Sequence, residues 1–393
     1  MEFKIEQGAL KEELGFVQGI VEKKSTIPVL SNILIESVGE NTIRIIGTDL
    51  DVTIRCEAEA EIIEGGSMCL QARKIFDVVR LLPEGSLHFK KDDNDWVNLT
   101  CGASKYRFAG VSRDQFPEVP VFKSAPLTLP AAIFNHFIVN TSFAITNEQS
   151  RFTLSGAKFM IEEGTARMVT TDGYRLAYID KDLPILKEES MDALIPKKAL
   201  IELVKISRGT GGDVSFGEDQ NHIYFEVDSR LLITRKLSGT FPNYEMVIPK
   251  DNDKRVEFNA SEMKDAVARV SLMADERTRS VKLKIKEGEI EVTAHSSEEG
   301  EAVERIATDY EGPETEIGFN AQYLQDFLSV AASSEIETGE VEKETEGEKV
   351  KVRESGGSPR VSFEFKSSNG QVQMRMAGES DYEYQYVVMP LRI

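Results

Sequence analysis

The chain has 393 residues, of which 40% are hydrophobic, and a formal net charge of −20 at pH 7. This length allows two to three domains, and the acidic balance argues against a protein whose whole outer surface coats nucleic acid, although a local basic face remains possible. The three cysteines and four histidines have no metal-ligand spacing, and no apolar run approaches the roughly 20 residues of a membrane span, so we expect a cytoplasmic protein with reduced thiols, no metal, no cofactor and no membrane contact.

The first third of the chain predicts two helices and several short strands. A helix follows the strand at 3–5, because Leu10, Leu14 and Val17 recur on one face. A second helix over 75–82 ends where Pro83 and Gly85 interrupt the pattern. Further strands are predicted at 31–36, 42–47, 52–58, 87–89, 97–99 and 106–108.

The second third predicts the same order of elements. Helices carry the apolar residues at 133–138 and 200–204. Strands are predicted at 127–129, 152–154, 166–170, 176–179, 214–216, 223–225 and 231–233. Two echoes give the period of the repeat: Thr48-Asp49 recurs 123 residues later as Thr171-Asp172, and Phe116-Pro117 recurs 125 residues later as Phe241-Pro242.

The last third repeats the pattern once more and adds an acidic stretch. Helices are predicted at 263–270 and 323–328, and strands at 281–285, 290–294, 361–365, 372–376 and 386–388. We therefore predict an α+β fold of three repeated domains at 1–124, 125–251 and 252–393, each with two helices packed on antiparallel sheet. The acidic stretch at about 335–358 predicts a projecting hairpin or a disordered tip.

Two acidic residues at turns are the candidates for catalysis. Asp172-Gly173 between two apolar runs predicts a tight turn, because Gly accepts a positive φ and Asp bonds its own backbone. Asp49 and Asp172 are more simply interpreted as turn residues, since no His, Cys or second acid lies at a useful spacing. The run at 209–212 lacks the Lys-Ser/Thr of a phosphate-binding loop. The residues give no positive indication of an enzyme.

Cations recur at equal spacing in the second helix of two repeats. Arg73 and Arg80 are seven residues apart, as are Lys198 and Lys205, so each pair lies on one helix face. Solubilising surface charge is the simpler interpretation of any one pair. Their recurrence in two copies favours a shared basic face that contacts a phosphate backbone without reading bases.

The carboxyl end is apolar up to the last residue. Termini normally fray unless they are tied down, and residues 386–388 predict a strand that completes a sheet. Met389, Pro390 and Leu391 extend beyond what a strand needs. Because Met adapts readily to different partners, this end predicts a binding surface.

Taken together, these stretches resemble the family of bacterial sliding clamps, the beta subunits of DNA polymerase III. The stretches are TIPVL (26–30), GTDL (47–50), ARK (72–74), LLPEG (81–85), TDGYRLA (171–177), FP (241–242) and VVMPLR (387–392). The resemblance covers the chain apart from the acidic stretch. It implies a head-to-tail homodimeric ring of six similar domains that encloses duplex DNA, acts as a processivity factor and catalyses no reaction.

The resemblance also implies a pocket between the second and third domains. This pocket would bind short peptides of the polymerase III catalytic subunit, the clamp loader, other polymerases and repair proteins. The family often has His in the place of Tyr174 and Met in that of Leu391. The matching positions here are Leu154, Thr171, Gly173, Tyr174, Arg175, Leu176, Pro242, Val247, Val387, Met389, Pro390, Leu391 and Arg392.

Two further surfaces follow from the resemblance. The residues expected to face DNA, including Arg80 and Lys205 from the helix spacing, are Lys24, Arg73, Arg80, Gln149, Lys197, Lys198 and Lys205. The ring joint would join an apolar strand with Tyr106 and Phe108 to a helix end with Leu272 and Met273. Its charged residues would be Lys74 and Lys105 opposite Glu298, Glu299, Glu301 and Glu304.

A sliding clamp is thus the leading hypothesis. Two alternatives from other classes stay open at this point: an enzyme that uses Asp172, and a monomeric peptide-binding scaffold without a ring.

Overall fold

A computed structural model describes residues 1–21, 26–120, 127–148, 150–209, 211–333, 340–345, 348–353, 359–378 and 380–392. In the first third, the predicted helices are α1 (Gln7–Ile20) and α2 (Ala72–Leu81). The strands are β1 (Glu2–Glu6), β2 (Asn32–Val38), β3 (Thr42–Thr48), β4 (Val52–Glu59), β5 (Glu61–Glu64), β6 (Ser67–Gln71), β7 (Ser86–Lys91), β8 (Val97–Cys101) and β9 (Ser104–Phe108).

The second third contains the helices α3 (Ala131–Thr141) and α4 (Lys197–Ser207). Its strands are β10 (Leu127–Pro130), β11 (Gly156–Glu162), β12 (Thr165–Thr171), β13 (Arg175–Asp182), β14 (Met191–Pro196), β15 (Asp213–Glu218), β16 (His222–Val227) and β17 (Arg230–Arg235).

The last third contains the helices α5 (Ala260–Val270) and α6 (Ala321–Ser333). Its strands are β18 (Lys254–Asn259), β19 (Ser280–Lys286), β20 (Glu289–Ser296), β21 (Gly300–Ala307), β22 (Thr315–Asn320), β23 (Glu340–Thr345), β24 (Glu348–Arg353), β25 (Arg360–Phe365), β26 (Val372–Met376) and β27 (Glu383–Val388). The start of α5 is capped by the Asn259 side chain, which accepts the backbone N–H groups of Ser261 and Glu262.

The strand predicted at 152–154 is wrong. Phe152–Leu154 forms a short 3-10 helix, in which the N–H of Leu154 donates to the carbonyl of Arg151 at 2.9 Å. The Ser155 hydroxyl then donates to the Phe152 carbonyl at 2.7 Å and closes the turn. Such local side-chain bonds compete with a strand ladder, so the strand begins only at Gly156.

The acidic stretch contains an antiparallel hairpin. Strands β23 and β24 pair with Glu340 opposite Arg353 and Thr345 opposite Glu348. Of the two structures that the composition allowed, the backbone therefore adopts the hairpin within 340–345 and 348–353. The flanking residues 334–339, 346–347 and 354–358 lie outside the described part of the chain.

The chain divides into two compact units that do not follow the three repeats. The first unit comprises 1–138 and 193–238, and the second comprises 139–192 and 239–393. The predicted boundaries at 124 and 251 stay predictions, whereas the predicted α+β class is evident in both units.

The first unit contains two sheets of antiparallel pairs. One has the order β10-β15-β16-β17-β4-β3-β2-β6 and combines strands of the first and second thirds. The strands of the two thirds are paired at β17 and β4, where Leu232 lies opposite Ile54. The other sheet has the order β5-β1-β7-β8-β9. The predicted apolar face of α1 is fully buried, with Leu10, Leu14 and Val17 at 0–1% exposure.

The second unit repeats this arrangement. One sheet runs β11-β12-β13-β27-β26-β25-β18, and the other runs β21-β20-β19-β22. Strands of the second and last thirds meet where Ala177 of β13 lies opposite Tyr386 of β27. Phe327 of α6 stacks on Tyr386 with 5.0 Å between ring centroids, so helix and sheet share one core.

Candidate functional site

The turn between β12 and β13 is built by the residues that predicted it. Asp172 Oδ1 accepts the N–H groups of Tyr174 at 3.0 Å and Arg175 at 3.1 Å. Thr171 Oγ1 accepts the N–H of Gly173 at 3.0 Å. Gly173 has φ 91°, in the left-handed region that glycine adopts without strain. The predicted tight turn is confirmed, and one Asp172 oxygen is used to hold the backbone.

The side chain of Arg175 ties this turn to helix α6. Its Nε donates to Asp172 Oδ2 at 3.0 Å, its Nη1 to Asp326 Oδ2 at 2.6 Å, and its Nη2 to the carbonyl of Phe143 at 2.8 Å. Burial acts to lower the pKa of Arg175, but the neighbouring Tyr386 hydroxyl and the two carboxylates raise this pKa well above its ordinary value. Arg175 therefore stays charged although its side chain is only 8% exposed.

A mostly apolar cleft of about 470 Å³, including its open mouth, lies beside the turn. It is lined by Leu154, Thr171, Gly173, Tyr174, Arg175, Leu176, Pro242, Tyr244, Val247, Val387 and Met389. The structure thus brings together all the predicted pocket residues except Pro390, Leu391 and Arg392, which follow Met389 directly. Tyr244 is the lining residue that sequence reasoning missed, although it lies only two residues after Pro242.

The carboxyl end is tied down at this cleft. Within the β13–β27 pair, Val387 lies opposite Leu176, which confirms the predicted final strand. The N–H of Met389 donates to the carbonyl of Tyr174 at 2.9 Å, and the N–H of Leu391 donates to that of Gly318 at 2.8 Å. Backbone bonds therefore hold the end of the chain against the turn and against β22.

An aromatic wall stands at the mouth of the cleft. The half-exposed Tyr174 ring lies 6.5 Å from the ring of Tyr323 on α6, with an interplanar angle of 23°. The guanidinium of Arg151 lies 5.5 Å from the centre of the Tyr174 ring, and its Nη1 donates to the carbonyl of Asp172 at 2.6 Å. A cation and a second aromatic ring thus hold the Tyr174 ring at the cleft.

The predicted DNA-facing cations of α4 have acidic partners in the first unit. Lys198 Nζ lies 2.5 Å from Asp49 Oδ2 and donates to the carbonyl of Ile20 at 2.7 Å. Lys205 Nζ lies 2.7 Å from Glu202 Oε1. The i,i+3 spacing of that second pair was visible in the sequence, whereas the pairing with Asp49 was not.

The cations of α2 share one carboxylate. Arg73 lies 3.9 Å and Arg80 lies 3.4 Å from Asp77, which stands between them on the helix. Lys197 is half-buried at the first residue of α4. The predicted residues Lys24 and Gln149 lie outside the described residues.

The apolar part of the predicted ring joint lies on β9 in the first unit. Tyr106 is 40% exposed, and its ring stacks on that of Phe108 at 6.4 Å between centroids. The side chains of Lys74 and Lys105 are exposed. Within the described part of the chain, β9 pairs only with β8, so its other edge carries unpaired backbone groups.

The other predicted half of the joint lies in the second unit. Leu272 is 76% exposed after the end of α5, and Met273 is half-buried. Glu304 makes two 2.6 Å bonds to Arg269 of the same chain, which sequence reasoning missed. The remaining acidic residues of the predicted joint are exposed and are Glu298, Glu299 and Glu301. Among the described residues, β21 is an edge strand of its sheet.

The described part of the chain shows no metal centre of the usual kind and no long apolar helix. There, no group of three or more His, Cys, Asp or Glu side chains could hold a metal ion. No helix of that part is long and apolar enough to cross a membrane. Cys56, Cys69 and Cys101 are buried free thiols.

Family models match most of the chain. They describe the N-terminal domain of the DNA polymerase III beta subunit at 1–120, its central domain at 128–243 and its C-terminal domain at 245–339. The beta sliding clamp of Pseudomonas putida is 31% identical over 396 residues and is covered completely, as is this chain. The chain belongs to the beta sliding clamp family. The beta sliding clamp of Chlamydia pneumoniae is 32% identical over 86% of this chain and 92% of its own length.

Solved structures of sliding clamps have the same fold. The DNA polymerase III subunit beta of Pseudomonas aeruginosa matches with a TM-score of 0.87 at 28% identity over both whole chains. The sliding clamp of Bartonella birtlesii, solved bound to griselimycin, matches with a TM-score of 0.88 at 28% identity, again over both chains. The predicted clamp fold and the predicted function, a sliding clamp that acts as a processivity factor, are confirmed. The alternative of a scaffold without a ring finds no support among these relatives.

Proposed function

We propose that two copies of this chain form a ring around duplex DNA, and that polymerases, the clamp loader and repair proteins bind the cleft through short peptides. The observation that carries the peptide part is the convergence of four apolar side chains, Leu154, Leu176, Val247 and Val387, on one cleft. A peptide that ends in Leu-Phe would bury two large side chains there, each stabilising the complex by about 1.5–3 kcal/mol. Griselimycin, which binds the Bartonella birtlesii relative, is proposed as a second ligand of this cleft.

The ring joint is proposed between the two edge strands. In a head-to-tail dimer, β9 of one copy pairs with β21 of the other, and each edge supplies backbone groups that the other needs. Tyr106 and Phe108 then meet the exposed Leu272, while Lys74 and Lys105 meet Glu298 and Glu301. Glu304 contributes less to the joint than the sequence predicted, because it is already bound to Arg269.

Sedimentation of a double variant tests this joint. Replacing Leu272 and Met273 by Ala should move the mass towards the monomer at submicromolar concentration, because the apolar contact is lost. Ile185→Ala, at a residue with 79% exposure outside the proposed joint, is the matched control and should stay dimeric. A double variant that stays fully dimeric under these conditions would overturn the proposed joint.

We propose that topology, more than affinity, holds the ring on DNA. The supporting observation is that Arg73, Arg80, Lys198 and Lys205 each have a carboxylate partner within their own unit. Loaded on a nicked circular plasmid, the ring should survive salt that removes a phosphate binder, whose affinity falls by about 10³ or more between 50 and 200 mM salt. Linearising the plasmid should release it, and equal loss from circular and linear DNA would contradict the proposal.

In this proposal the chain acts in the cytoplasm and catalyses no reaction, because its work is to bind DNA and peptides. Asp172 then serves the turn and the Arg175 ion pair. If Asp172→Asn abolished a measurable turnover by the purified protein, the enzyme alternative would replace this one.

A further inference from the structure

One irregular segment supplies part of the lining of the cleft. This connector, residues 239–253, leads into β18 and contains Pro242, Tyr244 and Val247. Apart from a short 3-10 helix at Tyr244–Met246, it has no regular secondary structure. Most of the other lining residues lie on β13, on β27 or in the turn between β12 and β13, within one hydrogen-bonded sheet, and Leu154 lies on the 3-10 helix at Phe152–Leu154. The sheet residues of the cleft are therefore held by strand pairing, whereas the connector residues are not.

The connector is constrained near both ends. At its start, Gly239 has φ 108° and leaves no room for a side chain, because a Cβ atom would lie 2.6 Å from Thr153 Cγ2. Near its end, Asn252 Nδ2 donates to the carbonyl of Glu364 on β25 at 3.0 Å. Between these two points lie the residues that line the cleft, and Phe241 and Tyr244 of this stretch are buried.

A cluster around Arg167 adds a polar contact between this segment and the sheet. Arg167 lies on β12 opposite Asp180 of β13, and its Nη2 lies 3.3 Å from Asp180 Oδ2. Its Nη1 donates to the hydroxyl of Tyr244 at 3.3 Å. The guanidinium carbon lies 5.2 Å from the centre of the Tyr178 ring, and the Tyr178 hydroxyl donates to Asp180 as well. The rings of Tyr178 and Tyr244 are 6.1 Å apart, and both residues are more than nine-tenths buried.

Resting on the proposed peptide-binding function, we propose that Arg167 is a positioning residue for peptide binding. Arg167 does not line the cleft. It holds the Tyr244 hydroxyl from the sheet, and thereby holds Pro242 and Val247, which lie on the same segment. The position of Pro242 and Val247, and hence the fit to a peptide, depends in part on this contact.

Arginine is suited to this position by its shape. Its planar guanidinium bonds Asp180 and Tyr244 at the same time and stacks on Tyr178, which the flexible ammonium of Lys does not reproduce. Its Nε is buried and has no hydrogen-bond partner among the described residues. The polar link between the sheet and the connector therefore consists of the two Nη contacts, to Asp180 and to Tyr244. Removing one of them frees the connector and adds an ordering cost to every binding event.

The test measures the affinity of five proteins, the wild type and four variants, for two ligands by titration calorimetry. The ligands are griselimycin and a synthetic peptide that ends in Leu-Phe. Arg167→Met keeps the length of the side chain and removes its donors, and Tyr244→Phe keeps the ring in the cleft and removes the acceptor. We expect each variant to bind both ligands roughly tenfold more weakly, the loss expected for one hydrogen bond to a charged group. The matched control is Arg375→Met on β26 of the same sheet, since Arg375 pairs with Glu383.

The double variant separates positioning from mere stability. If Arg167 acts through Tyr244, the Arg167→Met/Tyr244→Phe protein should bind no more weakly than either single variant, because both changes break the same contact. Full additivity of the two losses would overturn the inference. So would an Arg167→Met protein with a lower melting temperature and wild-type affinity. If the wild-type protein binds neither ligand, the proposed pocket function fails and this inference fails with it.

Discussion

The turn after β3 and the turn after β12 have the same construction in two different units. In the first, Asp49 Oδ1 accepts the N–H groups of Asp51 at 3.0 Å and Val52 at 2.7 Å, and Thr48 Oγ1 accepts the N–H of Leu50 at 3.0 Å. The second turn makes the same three bonds with residues 123 positions later. The repeat thus preserves a backbone shape that depends on a Thr-Asp pair.

The two turns differ at one backbone position. Leu50 has φ 79° and Gly173 has φ 91°, so both sites use the left-handed region, but only the second uses the residue that adopts it without strain. Leu50 places a half-exposed side chain at its turn, whereas Gly173 lines the cleft with backbone alone. The same turn can line a cleft in the second unit because Gly173 has no side chain at the position of Leu50.

The ion pairs of the two turns differ in burial. The largest loss of stability is therefore expected at the more buried pair, that of Arg175. Arg175→Met should lower the free energy of unfolding by about 3–5 kcal/mol, because Asp172 and Asp326 lose a buried partner. Urea unfolding followed by circular dichroism measures this loss. If Asp326→Asn lowers the free energy of unfolding as much as Arg175→Met does, the idea that Arg175 stabilises both carboxylates at once is wrong.

Removing residues 389–393 should come next in size. The cleft loses Met389, a half-buried lining residue whose backbone N–H donates to the Tyr174 carbonyl, so affinity for a peptide ending in Leu-Phe should fall at least tenfold. The dimer should stay intact, because the proposed joint lies on other elements. Calorimetry with sedimentation as a control checks both results, and undiminished affinity would show that the carboxyl end is not part of the site.

The ion pair of the first turn, between Lys198 and Asp49, should contribute less to the free energy of unfolding. Lys198 is 37% exposed, so Lys198→Met should lower the free energy of unfolding by only about 1 kcal/mol, although Asp49 is well buried. The urea midpoint of this variant, set beside that of Arg175→Met, compares the two turns directly. A loss as large as that of Arg175→Met would show that exposure does not govern these pairs.

The smallest effect is expected at Leu50. Leu50→Gly relieves a left-handed backbone strain of about 1–3 kcal/mol but adds freedom to the unfolded chain, so the free energy of unfolding should change by less than about 1 kcal/mol. Thermal unfolding of the variant measures this balance. A larger loss would mean that the Leu50 side chain makes contacts that stabilise the first unit.

Local patterns predicted most of the fold. The apolar spacing of α1 and the Asp-Gly turn each depend on residues that are close together in the chain, so the sequence shows them directly. The error at Phe152–Leu154 has a local cause as well, since the bond from Ser155 to Phe152 favours a turn over a strand.

Contacts between distant residues were not predictable in the same way. Nothing in the sequence pairs Lys198 with Asp49, 149 residues away, or Arg167 with Tyr244, 77 residues away. The resemblance supplied most of the cleft residues but omitted Tyr244, because its importance arises only where the connector meets the sheet.

The most direct test gives the second turn the side chain of the first. A Cβ at Gly173 would lie 3.0 Å from Arg151 Nη1 and at the lining of the cleft, and Leu50 shows that this kind of turn accepts Leu. Calorimetric titration of the Leu-Phe peptide into Gly173→Leu should therefore show at least a tenfold loss of affinity, with the protein still folded and dimeric, while Leu50→Gly binds as the wild type does. Wild-type affinity in a folded Gly173→Leu protein would contradict the account, because peptides would then bind somewhere else.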